Sequence, residues 1–154
     1  MATFDLDILI VEDNHTYRAL ILSAFKEHNC RTATTYQEGV DLYNSRKPHI
    51  SFLDINLPDG NGLDLLKIIT DDDPQAYCII LTGSAAPEDV SRAQTYGAME
   101  YILKPFTATR IQETLDHFEI YRNKLIEIAC DEDEIELSLA KKFAHSKQKI
   151  DKQP

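Results

Sequence analysis

Short apolar runs alternate with amphipathic stretches along most of the chain. Leu6-Asp7-Ile8-Leu9-Ile10-Val11 is nearly continuous in apolar side chains, which predicts a strand covered on both faces. Ala19, Leu20, Leu22 and Phe25 follow with helical spacing. Arg31 to Thr35 reads as a second, more polar strand. Thr35 and Glu38 have capping-box spacing, so a helix is expected from there to about Arg46. Pro48 breaks that pattern, and His49 to Leu53 predicts a third strand. Pro58-Asp59-Gly60 is turn chemistry. A helix from about Gly62 to Thr70 and a strand from Tyr77 to Leu81 come next. Pro87 suits the first turn of a fourth helix and Gly97 its C-terminal end. Ala98 to Leu103 predicts a fifth strand, and Thr107 can cap a fifth helix.

Strict β-α alternation predicts an α/β protein, a five-stranded parallel doubly wound sheet with helices on both faces. By fold-level analogy the expected strand order is 2-1-3-4-5, the flavodoxin-like arrangement. The character of the chain changes near residue 119, beyond which there is no glycine and no strand signal. The expected organisation is one domain over 1–120 and a charged C-terminal helical extension, or a truncated linker, over 121–154. Phe118, Tyr121, Leu125, Ile128, Ile135 and Leu139 form a heptad-like seam that Glu132 and Lys142 interrupt. The stripe is expected to pack on its own domain as far as about Ile128. Beyond that point the seam also allows a homodimer or a partner helix. Lys141, Lys142, Lys147, Lys149 and Lys152 make a basic end, expected to be a disordered tail rather than a nucleic-acid arm.

Composition narrows the classes. A chain of 154 residues holds one domain with a sizeable core, and 43% hydrophobic with 27% charged residues is ordinary for a soluble globular protein. The net charge of −10 argues against general binding to nucleic acid or an anionic membrane. Cys30, Cys78 and Cys130 are odd in number and widely spaced, which disfavours a disulfide framework or a thiolate metal site. No basic residue precedes the first apolar run, so no signal peptide is expected. No apolar run approaches the roughly 20 residues of a membrane span. A cytoplasmic location is the expectation.

In a doubly wound sheet, ligands bind at the C-terminal strand ends. The first predicted strand ends in Glu12-Asp13, the third in Asp54, the fourth in Thr82-Gly83 and the fifth in Lys104-Pro105. Converging carboxylates repel, and a hard divalent cation with oxygen ligands, Mg²⁺, would relieve the repulsion. Lys104 is a compact cation for a carboxylate or a phosphoryl oxygen, and Thr82 offers a hydroxyl donor. A nucleophile, a metal site, a cation and a donor make up the set that phosphoryl transfer to a carboxylate requires. Each residue alone has a plainer reading: Asp54 or Asp13 as a cap, Asn14 as the competing helix cap, Thr82 as a turn residue, Lys104 as a solvated charge, Tyr101 as core. His15, next to the acidic pair, is expected to be an exposed first-turn residue, and the other histidines lack metal-ligand spacing.

Together, Glu12-Asp13, Asp54 with Leu57-Pro58-Asp59-Gly60 and Gly62, Thr82-Gly83 and Lys104-Pro105 resemble the complete signature of the response-regulator receiver family of two-component signalling, over roughly residues 5 to 120. The resemblance implies a signalling switch rather than an enzyme acting on an outside substrate. Asp54 would be the phosphoacceptor. Asp13 would bind Mg²⁺ directly, Glu12 through water, and Asn56 through its backbone carbonyl. Thr82 and Lys104 would bond the phosphoryl group, the Lys104-Pro105 bond would be cis, and Tyr101 would be the aromatic switch. Asn56 and Ser84 hold the positions that tune phosphoryl lifetime. The implied partners are a histidine kinase or histidine phosphotransfer protein, and a downstream effector or a missing output domain reached through the surface of the fourth helix, fifth strand and fifth helix.

Two other classes compete. A phosphohydrolase of the haloacid-dehalogenase type also uses an Asp on a parallel sheet, but carries a second Asp two residues on, where this chain has Asn56. A phosphorylation-independent interaction domain would not need the intact acidic pair, acceptor, threonine and lysine.

Overall fold

The computed structural model describes residues 5–142, with side chains as far as residue 131. Its elements are β1 (Asp7–Val11), α1 (His15–Ala24), β2 (Asn29–Ala33), α2 (Tyr36–Ser45), β3 (Ile50–Asp54), β4 (Asn56–Leu57), β5 (Gly60–Asn61), α3 (Gly62–Asp72), β6 (Tyr77–Thr82), α4 (Pro87–Thr95), β7 (Glu100–Leu103) and α5 (Ala108–Lys142). The main sheet has five strands in the order β2-β1-β3-β6-β7, all pairs parallel. This is the doubly wound order expected from the alternation.

The three central strands carry the core. Every residue of β1, β3 and β6 is buried. With side chains alternating along each strand, Leu9, Val11, Leu53, Cys78 and Ile80 meet Tyr43 of α2, Leu63, Leu66 and Ile69 of α3 and Ala93 of α4. The intervening residues face the other way, and Phe52 stacks on Phe25 next to α1 with ring centroids 5.6 Å apart. Burial of each such side chain contributes about 1.5–3 kcal/mol before entropy is counted.

Caps end the helices where the sequence suggested, with refinements. Asn14, not Asp13, caps α1: its side chain accepts from Tyr17 N at 3.1 Å. Thr35 caps α2 by accepting from Glu38 N, and the Glu38 carboxylate reaches back to accept from Thr34 N at 3.1 Å and from the Thr35 hydroxyl at 3.2 Å. Pro87 opens α4, and Gly97, at φ +88°, closes it in a region that side chains disfavour. Thr107 accepts from Arg110 N at the start of α5. The second strand lies two residues earlier than predicted, at Asn29–Ala33, because Asp7 pairs with Asn29 in register with β1. The turn at Pro58-Asp59 is the tip of a small antiparallel hairpin, Asn56 opposite Asn61 and Leu57 opposite Gly60.

At the N-terminal edge of the sheet a closed polar set holds β1. The buried Asp7 carboxylate pairs with Arg31, at 2.9 Å, and with Arg46. Arg31 also donates to the carbonyls of Leu42 and Arg46 at 2.7 and 2.8 Å. The N–H groups of Leu6 and Asp7 donate to Nδ1 of His28 and His49, at 3.1 and 2.8 Å.

The chain divides into two compact units between Leu115 and Asp116. Along the apolar stripe Phe118 is buried, Tyr121 and Leu125 are half-buried, and Ile128 exposes 48% of its surface. The side chains of Glu132, Ile135, Leu139, Lys141 and Lys142 and the rest of the basic end lie outside the described residues. Among the described residues no helix is long and apolar enough to cross a membrane.

Candidate functional site

Because β1, β3, β6 and β7 are parallel neighbours, the residues that follow them emerge on one edge of the sheet. Glu12 continues β1, its N–H donating to Ala33 O at 3.0 Å. Its carboxylate is fully buried, and one oxygen accepts from Asn14 N at 3.0 Å. The other oxygen lies 2.7 Å from Lys104 Nζ, the ion pair that compensates an otherwise unpartnered buried atom. Asp13, one residue further, is exposed. Arg18, on the first turns of α1, donates from Nη1 to the carbonyls of both Glu12 and Asp13, at 3.0 and 3.1 Å, and so fixes the backbone that carries the two acids.

Asp54 is the last residue of β3 and is 4% exposed. It lies 3.4 Å from Lys104 Nζ and accepts from Asn56 N at 3.3 Å. The hairpin then returns the chain so closely that α3 must begin with glycine: a Cβ on Gly62 would sit 1.9 Å from the Asp54 carbonyl oxygen. Asp59, at the hairpin tip, accepts from Tyr36 N and Gln37 N at 2.6 and 3.0 Å, which ties the hairpin to the start of α2.

One carboxylate oxygen from each of Glu12, Asp13 and Asp54 falls within 4.8 Å of the others. Burial, and then the Glu12 charge, push the Asp54 carboxyl up to about 7 against the opposing pull of Lys104. Burial draws the Lys104 ammonium down, but Glu12 and Asp54 together outweigh it and leave its pKa above the ordinary value. Glu12 and Asp54 thus share one ammonium that is only 14% exposed, with the Asp13 carboxylate beside them. An oxygen-only donor set with surplus negative charge fits a hard divalent cation.

Thr82 closes β6 and is fully buried, with its hydroxyl oxygen accepting from Ser84 N at 3.1 Å. Tyr101, on β7, is half-buried and donates its hydroxyl hydrogen to the Ser84 carbonyl at 2.9 Å. Thr82 and Tyr101 therefore meet twice, through the backbone of Ser84 and through a side-chain hydrogen bond between their hydroxyls. The Lys104-Pro105 peptide bond is cis. The side chain of Asn56 is exposed, as is His15.

The geometry brings Glu12, Asp13, Asp54 and Lys104 into one cluster, with Thr82, Ser84 and Tyr101 as a second set on the neighbouring strands. Sequence reasoning missed Arg18, and read Asp59 as turn chemistry without its contacts to α2. Arg18 sits five and six residues after the acids it serves, across a capped helix start, and Asp59 caps a helix 22 residues away. Neither spacing is a local pattern.

Known proteins resemble this chain in sequence and fold. The chain is 32% identical over 112 residues to the chemotaxis protein CheY of Thermotoga maritima, covering 71% of this chain and 93% of that one. It is 29% identical over 113 residues to the photosynthetic apparatus regulatory protein RegA of Rhodobacter capsulatus, where the match covers 72% of this chain but 61% of RegA. The fold superposes on a CheY-like receiver domain protein from Methanospirillum hungatei with a TM-score of 0.73 at 25% identity, covering 79% of this chain and 99% of that one. NtrX from Brucella abortus gives a TM-score of 0.72 at 30% identity, over 82% of this chain and 29% of NtrX. Residues 8–116 match the response regulator receiver domain, and the chain belongs to that family, the receiver domains of two-component signalling.

Proposed function

We propose that this chain is a phosphorylation-controlled signalling switch in which Asp54 accepts a phosphoryl group. The observation that carries the reading is the gathering of the Glu12, Asp13 and Asp54 carboxylates at one sheet edge, two of them, Glu12 and Asp54, paired with the Lys104 ammonium. A Mg²⁺ ion held by Asp13, Asp54 and the Asn56 carbonyl, with Glu12 behind it through water, would supply charge neutralisation for the transferred group.

An Asp54 carboxylate oxygen attacks the phosphorus of a phosphohistidine. A P–O bond forms, the P–N bond breaks, and its electron pair returns to the imidazole. Lys104 stands where it can meet the charge that builds on the phosphoryl oxygens. The Thr82 hydroxyl accepts from Ser84 N–H and is bonded to the Tyr101 hydroxyl, so turning its hydrogen to a phosphoryl oxygen would release Tyr101. Movement of Thr82 would carry Ser84 with it and so reach Tyr101 through the Ser84 carbonyl. That coupling shifts the population of the α4–β7–α5 surface and so controls a partner. Asn56 and Ser84 flank the site and tune how long the acyl phosphate lasts before water returns Asp54. The only reactions the chain promotes are its own phosphorylation and dephosphorylation.

The donor is a histidine kinase or a histidine phosphotransfer protein, which places the exchange in the cytoplasm. The recipient is a downstream effector, or an output domain of a longer regulator, as the partial coverage of RegA and NtrX suggests. Residues 1–120 form the switch, and 121–154 an extension that is also the candidate for self-association. A dehalogenase-type hydrolase is disfavoured, since Asn56 cannot serve as a general acid.

Prompt intact-mass measurement after incubation with acetyl phosphate and Mg²⁺ tests the reading. One added phosphoryl group, dependent on Mg²⁺ and absent in Asp54→Asn, is the expected result. No addition under rapid quenching would refute it in favour of a phosphorylation-independent module.

A further inference from the structure

The Lys104 ammonium has a third neighbour besides its two carboxylates. Nζ lies 4.7 Å from the centroid of the Tyr17 ring, within cation–π range. Tyr17 is held there from two sides. Its N–H is bonded by the Asn14 cap, which fixes it as the third residue of α1. Its ring packs on Phe106, two residues beyond Lys104, with centroids 4.8 Å apart and planes tilted by 42°. One aromatic side chain from α1 therefore touches both the ammonium and the segment that carries it.

Glu12 stands at 2.7 Å from Nζ and Asp54 at 3.4 Å, so the nearer anion is the one that does not receive the phosphoryl group. The Glu12 contact is a closed ion pair and the Asp54 contact a looser one, so the ammonium needs a further contact to stay within reach of Asp54. In a pocket that leaves Lys104 only 14% exposed, an aromatic face is the remaining group that can solvate a cation without competing as a base. We propose that Tyr17 is a positioning residue for Lys104: its ring face holds the ammonium between Glu12 and Asp54, ready for the phosphoryl oxygens. The proposal rests on the switch reading above, in which Lys104 meets the transferred group. It assigns the work to the ring and none to the hydroxyl.

The test compares Tyr17→Phe and Tyr17→Leu in the full chain. Leucine keeps an apolar contact for Phe106 and removes the π-face. With acetyl phosphate and Mg²⁺, Tyr17→Phe should be phosphorylated at the wild-type rate and Tyr17→Leu about three- to tenfold more slowly. In a Lys104→Met background the Tyr17→Leu change should add no further loss, since the cation it serves is gone. A second readout needs no phosphorylation. The Lys104 ε-methylene protons, assigned by their loss in Lys104→Met, should show an upfield ring-current shift in wild type and Tyr17→Phe that disappears in Tyr17→Leu. An unchanged rate in Tyr17→Leu, or an equal loss in the Lys104→Met background, would overturn the proposal and leave Tyr17 as packing for Phe106. Failure of the wild type to take up phosphate overturns the switch reading itself, and is read before any variant is compared.

Discussion

Replacing Asp54 by asparagine should stabilise the metal-free protein, and more so as pH rises. The Asp54 carboxyl titrates at about 7 in the fold, against 3.8 for the free side chain, with burial and then Glu12 as the causes. A raised folded pKa means that the folded state keeps a proton the unfolded chain has released. The contribution is therefore fully present below about pH 4 and is lost as pH rises through 7. Between pH 6 and pH 8 the loss is on the order of 1 kcal/mol. Asparagine retains the shape and carries no charge, so the variant escapes the loss. Urea unfolding of both proteins at pH 6, 7 and 8 in EDTA checks this. The stability of Asp54→Asn relative to wild type should climb by roughly 1 kcal/mol over that range. In thermal melts the same difference is about 2–4 °C. Saturating Mg²⁺ should stabilise the wild type by more than the variant, which has lost a ligand. Parallel pH profiles for the two proteins, or a variant less stable than wild type at pH 8, would refute the electrostatic account.

Other consequences are as direct. Gly62→Ala would place a Cβ 1.9 Å from the Asp54 carbonyl oxygen, so a loss of about 3 kcal/mol or more is expected in urea unfolding, together with impaired phosphorylation; an unchanged midpoint would contradict the close approach. Asp59→Ala should lower the urea midpoint at neutral pH by uncapping the N–H groups of Gln37 and Tyr36. Those bonds hold the Asp59 carboxyl below the usual carboxylate range, so the difference from wild type should persist above about pH 4 and vanish as acid titrates the folded carboxylate. The thiols should separate cleanly under Ellman's reagent at pH 8. Exposed Cys130 reacts in the native protein, whereas Cys78, which burial pushes up to about 12, reacts only on unfolding. Fast native labelling of two thiols including Cys78 would show the core to be open.

Much of this molecule is readable from local pattern because its strands are short, apolar and regularly spaced. Glu12, Asp13, Asp54, Thr82 and Lys104 could be named before any coordinates, since each closes a strand and parallel strands share an edge. Harder to read are contacts that join residues far apart in the chain. Residues 29–35 carry no apolar alternation strong enough to set a register, and pairing with β1 moves that strand to Asn29–Ala33. His28 and His49 look like unassigned histidines in the sequence, yet each accepts a backbone N–H from the start of β1. Arg18, Tyr17 and Asp59 likewise support the site from α1 and the hairpin, where spacing carries no signal. The apolar stripe beyond residue 119 suggested more cover than it has, because heptad spacing reports which residues share a face and says nothing of what lies against it.

The two ends of the sheet are electrically unlike. At one, the Asp7 carboxylate is matched by two guanidinium groups. At the other, three carboxylates face one ammonium. A balanced end resists displacement, because any shift breaks pairs already made. A deficient end lowers its energy whenever positive charge arrives or negative charge is masked. The domain thus behaves as a beam clamped at its base and loaded at its tip. Deformation produced by chemistry at the carboxylates has little freedom to travel through the strands. It should instead emerge beyond the strand ends, in the segment after β6 that carries Ser84 and leads into α4.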